Sequence, residues 1–253
     1  MSLYMVASYI GMMLGQLVLS LGDGLNALAL SGVAIAFAIG LIPIAMHSGV
    51  KPNAILQARI KPMLYLRRLP QSLLTILASG LLNGCLYGLT PIFAAQLGFT
   101  PAQVGQFMAI SIAAGLLAQL PLGKLSDHVS RITLIRFTAA LLCIAYLPLA
   151  LQLATTQLWI MLAGAAIGFL QFCLYPLGVA HANDNLEPEL RVSVSGVLLM
   201  TFGIGATIGP LIAGAMMEHS GPQALYLFGI GVAGLVVCLI REKRGIVAAP
   251  LAG

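Results

Sequence analysis

The chain has 253 residues, of which 60% are hydrophobic and only 8% are charged, with a formal net charge of +5 at pH 7. About a quarter of the residues of a soluble domain are charged, so this chain has too few polar side chains to cover a globule in water. The composition therefore indicates an integral membrane protein and argues against a disordered chain, a disulfide-stapled secreted domain and a nucleic-acid binder.

Eight apolar runs, each about the length of a membrane-crossing helix, follow one another along the chain. A helix rises 1.5 Å per residue and the hydrocarbon core of a bilayer is about 30 Å thick, so about 20 apolar residues make one crossing. The runs cover residues 3–21, 25–46, 73–95, 104–122, 132–153, 158–180, 192–217 and 224–240. They predict an all-α, polytopic membrane bundle of about eight transmembrane helices.

All 12 Lys and Arg residues lie near the same set of run ends. They follow the second, fourth, sixth and eighth runs, at Lys51, Arg59, Lys61, Arg67, Arg68, Lys124, Arg131, Arg136, Arg191, Arg241, Lys243 and Arg244. Lys and Arg are retained on the cytoplasmic side during membrane insertion. We therefore predict a multi-pass protein of the plasma (bacterial inner) membrane with both termini in the cytoplasm. The net positive charge then reports topology and not a nucleic-acid partner.

The chain lacks the sequence patterns of catalytic and metal sites. Its four cysteines lie inside apolar runs without C-x-x-C spacing, its four histidines are scattered, and neither H-E-x-x-H nor G-x-S-x-G occurs. A nucleotide-binding loop ending at Lys124 is excluded, because Ala118 stands where glycine is needed and Leu125 stands where Ser or Thr must bind magnesium. We predict no catalytic residue, no metal, no cofactor, no enzymatic activity and no use of ATP.

The loop between the fourth and fifth runs reads G-K-L-S-D-H-V-S-R over residues 123–131. It resembles the loop motif G-x-L-[AS]-D-R-x-G-R-[RK] of the major facilitator superfamily, from which His128, Ser130 and Ile132 depart. Gly123 allows a tight turn, and Asp127 can pair with Arg131. We predict that Gly123, Asp127 and Arg131 form a conformational latch; the alternative is a polar turn that obeys the positive-inside rule.

Further stretches look like the YcaD-like bacterial branch of that superfamily, at residues 86–91, 119–123, 174–176 and 180–184. The resemblance implies a secondary active transporter, or a part of one without the family's first four helices, that moves a small solute by alternating access. A proton or another cation is the expected coupling ion. A non-transporting multi-span scaffold, complete in itself, is the alternative.

The family layout also assigns the parts of the chain. Residues 1–46 would be the last two helices of the N-terminal half and residues 47–72 the cytoplasmic central loop. Residues 73–241 would be a complete C-terminal six-helix half, and residues 242–253 a cytoplasmic tail.

Polar side chains inside the third and sixth runs are candidates for solute contact. Asn83 and Tyr87 lie four residues apart on one helix face, and so do Gln171 and Tyr175. In the family these two runs correspond to cavity-lining helices, so the four residues are predicted to line a substrate cavity. Hydrogen bonding between helices is the alternative.

Two further sets complete the predicted sites. Gly205 and Gly209, followed by Pro210, indicate close helix packing and a hinge in the seventh run, because glycine permits close approach and proline removes one backbone hydrogen bond. His181 and Asp184, at the end of the sixth run, are a candidate gate that responds to protons.

Overall fold

The computed structural model describes residues 3–20, 27–46, 68–126, 128–153, 156–186 and 191–241. Within these ranges the chain is all helical, in agreement with the predicted class, and each of the eight apolar runs contains a helix. The helices are α1 (Leu3–Ser20), α2 (Ala27–Met46), α3 (Pro70–Gly88), α4 (Thr90–Gln96), α5 (Pro101–Leu125), α6 (Arg131–Ala150), α7 (Gln157–Asp184), α8 (Arg191–Ser220) and α9 (Ala224–Leu239).

The predicted third span is not one continuous helix. It is interrupted at Leu89, and the axes of α3 and α4 differ by 43°. The interruption has a local cause, because Pro91 lacks an N–H and cannot donate to the carbonyl of Tyr87 four residues earlier. Among the described helices, the long apolar portions of α5, α6, α7 and α8 can each cross a membrane, and α3 with α4 makes a fifth span if counted as one.

The bundle buries a core between α3, α6, α7, α8 and α9, while many large apolar side chains face outward. Phe137, Ile144 and Leu211 are each about 60% exposed or more. Exposed apolar surface of this extent marks a membrane-facing protein. The core thus sits between the helices, and the outer faces suit lipid tails.

Glycines bring α3 and α8 into backbone contact. A Cβ atom added at Gly84 would lie 2.3 Å from the carbonyl oxygen of Ala206, and one at Gly205 would lie 2.4 Å from that of Leu77. The other two glycines of this contact are Gly80 and Gly209. Side chains at these positions would force the two helices apart.

The segment expected to contain a hinge is helical throughout. Pro210 lies inside α8, which runs from Arg191 to Ser220 as one helix. The ring of Pro210 lies at ordinary van der Waals distance from the position that a Cβ of Gly88 would take, at 3.7 Å. Pro210 therefore lies at the contact between α8 and the end of α3, and a hinge there stays a prediction.

Candidate functional site

A cavity of about 370 Å³ opens between α1, α3, α7 and α8. These helices supply mainly aromatic and apolar side chains, together with one amide and one serine. The lining residues are Ser8, Tyr9, Met12, Asn83, Tyr87, Phe172, Tyr175, Leu199 and Phe202. In the part of the chain that the structure describes, no charged side chain lines this cavity.

The amide of Asn83 is the polar centre of the cavity wall. Asn83 is 5% exposed, and its Nδ2 donates to the carbonyl oxygen of Ser79 at 2.8 Å and lies 3.1 Å from Ser79 Oγ. Because a backbone carbonyl only accepts hydrogen bonds, this contact fixes which way the amide points. Asn83 Oδ1 is then left buried, without a partner among the described residues. It is thus an unpaired acceptor on a residue that lines the cavity.

Ring contacts hold the aromatic walls in place. Phe172 packs edge-on against Tyr9, with ring centroids 5.3 Å apart, and against Tyr87 at 6.3 Å. Tyr175 makes a similar contact with Phe202 at 5.1 Å. Such pairs contribute about 0.5 to 1.5 kcal/mol each beyond their buried area, so the walls are ordered without a ligand.

Three of the four predicted cavity residues, Asn83, Tyr87 and Tyr175, line the same cavity, and the structure differs for Gln171. Gln171 is 1% exposed, and its Oε1 accepts a hydrogen bond of 2.6 Å from the hydroxyl of Tyr146 on α6. This partner of Oε1 lies away from the cavity, while Nε2 of Gln171 is buried without a partner among the described residues. Gln171 therefore links α6 to α7, and Phe172 contributes the cavity surface at this level.

The remaining lining residues were not predicted, because most of them are apolar and because Ser8 and Tyr9 lie on α1, a helix from which no cavity residue was expected. Tyr9 and Met12 come from α1, and Leu199 and Phe202 come from α8. Apolar positions of a membrane helix can face lipid, core or cavity equally well. Only the rotation of each helix about its axis, which depends on packing, separates these three cases.

The loop motif residue Arg131 makes contacts between helices. At the start of α6, its Nε donates to Oδ2 of Asp184 at the end of α7, and its Nη1 donates to Oγ of Ser126. The predicted partner Asp127 lies outside the described residues, and Gly123 falls in the last turn of α5. Arg131 thus connects the segment between α5 and α6 to the end of α7.

The two candidate gate residues have different surroundings. Asp184 forms the ion pair with Arg131, whereas the half-buried His181 lines a second, smaller cavity together with Arg68 and Ser72. Both features lie at the end of the bundle where α3 begins and α7 ends. The spacing of the two residues in the sequence did not show that one forms an ion pair and the other lines a cavity.

Comparison with known proteins agrees with the family resemblance seen in the sequence. The sequence model of the Major Facilitator Superfamily matches residues 72–250. Proteins named "Uncharacterized MFS-type transporter YcaD" from Salmonella dublin, Salmonella enteritidis PT4 and Salmonella typhimurium strain LT2 are each 28% identical to this chain over 253 residues. These alignments cover 98% of this chain and 64% of each relative, so the chain spans less than two thirds of the length of the curated relatives it matches.

Proposed function

Because this chain belongs to the Major Facilitator Superfamily, we propose that it is, or is part of, a secondary active transporter that moves a small solute by alternating access. The observation that carries the proposal is the cavity between α1, α3, α7 and α8, where Asn83 Oδ1 is buried without a described partner. A solute that donates to this atom would satisfy it.

The cavity wall favours one chemical class of solute. Its aromatic surface suits an apolar ring, its volume lies in the range of small-molecule sites, and the unpaired Asn83 Oδ1 favours a solute with an N–H or O–H group. We propose an apolar solute that carries at least one such donor. Asn83 would bind the donor, while Tyr87 and Tyr175 would contact the ring.

The direct test is uptake into proteoliposomes that contain this chain. Radiolabelled indole and tryptophol, neutral compounds that each join an apolar ring to an N–H or O–H donor, are supplied with and without an imposed pH gradient. Transport predicts saturable uptake that depends on the gradient, and a lower rate for Asn83→Leu. A non-transporting scaffold predicts the rate of protein-free liposomes in every arm.

We also propose that the end of the bundle that carries the described arginines faces the cytoplasm. Arg68 precedes α3, Arg131 and Arg191 begin α6 and α8, and Arg241 follows α9. Cytoplasmic retention of such residues supports this orientation. A proton or another cation remains the proposed coupling ion.

The family layout gives a further proposal about α1 and α2. If residues 1–46 are the end of an N-terminal half, the packing of α1 against α5 is a contact between the two halves. Tyr9 and Met12 would then contribute to the cavity from the opposite half. Such a site between halves is what alternating access requires.

The latch of Gly123, Asp127 and Arg131 stays a prediction, because Asp127 lies outside the described residues. We propose that the Arg131–Asp184 pair contributes to it, and exchanging the two charges tests this. The side chains are 24% and 52% exposed, so the pair contributes at most about 1 kcal/mol to stability. We expect Arg131→Asp and Asp184→Arg singly to lower gradient-driven uptake about threefold, while the unfolding midpoint changes little. The double exchange restores the pair, and uptake should recover. If uptake is normal in both single variants, the pair does not contribute to a latch.

A further inference from the structure

A second cavity of about 170 Å³ lies at the end of the bundle where α3 begins. Arg68 and Ser72 line it from the start of α3, Ile132 from the start of α6, and His181 and Asn185 from the end of α7. It shares no lining residue with the cavity between α1, α3, α7 and α8. The latch and the proposed solute site therefore leave this space unexplained.

The first turn of α3 borders this cavity, and its first two N–H groups have no backbone acceptor among the described residues. The residue before the helix is Leu69, which supplies no side-chain cap, and Pro70 has no N–H of its own. The first amides able to donate are those of Gln71 and Ser72, both of which line the cavity. The first turn of a helix has free N–H groups and a partial positive charge, which favour an anion.

The hydroxyl of Ser72 gives an independent indication of a ligand. Ser72 is 1% exposed, and its Oγ has no hydrogen-bond partner among the residues that the structure describes. Buried hydroxyls are almost always paired, so such an atom at the wall of a cavity indicates a missing partner. A bound acceptor group would accept a hydrogen bond from this hydroxyl.

The charge around the cavity is positive. Arg68 lines it and has no ion-pair partner in the described ranges, and no described acidic side chain lines it. The nearby carboxylate of Asp184 is already paired with Arg131. Gln71 Nε2 donates to the carbonyl oxygen of Arg241 at 2.7 Å, so the residue that follows α9 contacts a residue of the cavity wall.

We infer that this cavity binds an oxyanion, such as a phosphate or carboxylate group. The donors would be the guanidinium of Arg68, the hydroxyl of Ser72 and the first amides of α3. Arginine pairs readily with both anions, because its planar donors match two oxygens at once. The oxyanion is either free in solution or carried by the headgroup of an anionic lipid.

The test measures the thermal unfolding midpoint of the whole chain in nanodiscs. One arm adds sodium phosphate to phosphatidylcholine nanodiscs, with sodium chloride at equal ionic strength as the reference. The other arm replaces 30% of the lipid by phosphatidylglycerol. A ligand that binds only the folded state raises the midpoint, and the concentration dependence gives its affinity.

Arg68→Gln and Ser72→Ala are the test variants, and Arg136→Gln, an exposed arginine on α6, is the matched control. We expect each test variant to weaken phosphate binding, or the phosphatidylglycerol response, about tenfold, and the control to change neither. A response to phosphate identifies a free oxyanion, and a response to phosphatidylglycerol alone identifies the headgroup. No response in either arm, or full responses in both test variants, would overturn the inference. Because Ser72→Ala removes one atom only, it keeps the test valid if Arg68→Gln does not fold.

Discussion

Replacing Gly205 by alanine is expected to lower the free energy of unfolding of the bundle by about 2 kcal/mol. The new Cβ would lie 2.4 Å from the carbonyl oxygen of Leu77 and 2.8 Å from the backbone nitrogen of Leu81. Backbone atoms cannot rotate away, so the cost falls at the upper end of the overpacking range, about 3 kcal/mol. The higher helix propensity of alanine offsets only about 1 kcal/mol of this cost. Overpacking therefore dominates.

The matched control lies two residues away in the same helix. A Cβ atom at Gly203 would meet nothing within 4 Å, so Gly203→Ala should leave stability unchanged or raise it by up to about 1 kcal/mol. Both variants are compared by unfolding in mixed detergent micelles, followed by circular dichroism. Equal effects of the two substitutions would show that α3 and α8 do not touch as described.

The second large effect is expected on ligand selectivity when Asn83 is replaced by leucine. We would measure it as the ratio of the affinities for two probes, of which only one carries a hydrogen-bond donor. Wild-type protein should bind 2-naphthol about tenfold more tightly than 2-methoxynaphthalene. The hydroxyl of the first can donate to Asn83 Oδ1, whereas the ether leaves that atom unpaired at a cost of about 1 to 3 kcal/mol. Asn83→Leu removes the acceptor, so the two probes should bind equally. Equilibrium dialysis against protein-free micelles measures both affinities.

Gln171→Leu is the control for this experiment, because Gln171 is also a buried amide but lies outside the cavity. It leaves the buried hydroxyl of Tyr146 without its acceptor, at a cost of about 1 to 3 kcal/mol, but also removes the unpaired Nε2 of Gln171. The net loss of stability should therefore fall at the lower end of that range. The preference for 2-naphthol should remain. If Gln171→Leu abolishes the preference, or if the wild type shows none, the proposed role of Asn83 is wrong.

The fold class and the positions of the helices were predictable, because about 20 consecutive apolar residues have few alternatives to a membrane helix. The interruption at Leu89 was not predicted, although Pro91 was visible in the sequence. Proline is tolerated within α5, α6, α7 and α8, so its presence alone does not locate a break.

The candidate site was predictable only where polar residues interrupt an apolar run. Asn83 and Tyr87 stand out in this way and do line one cavity. Gln171 gives the same signal in the sequence but hydrogen bonds to Tyr146, because the rotation of α7 turns it toward α6. The pairing of Arg131 with a residue 53 positions away depends on how α6 and α7 pack, and no local pattern encodes it.

The interruption at Leu89 has a mechanical consequence for the cavity. The short helix beyond it is anchored to α9, since the ring of Phe93 packs edge-on against Tyr226 with centroids 4.7 Å apart. The helix before it carries Asn83. Since Pro91 removes one backbone hydrogen bond at the junction, bending around Leu89 should meet less resistance than in an unbroken helix, although Leu89 N–H still donates to Cys85 and Phe93 N–H to Leu89. The cavity wall can then tilt while its far anchor stays in place.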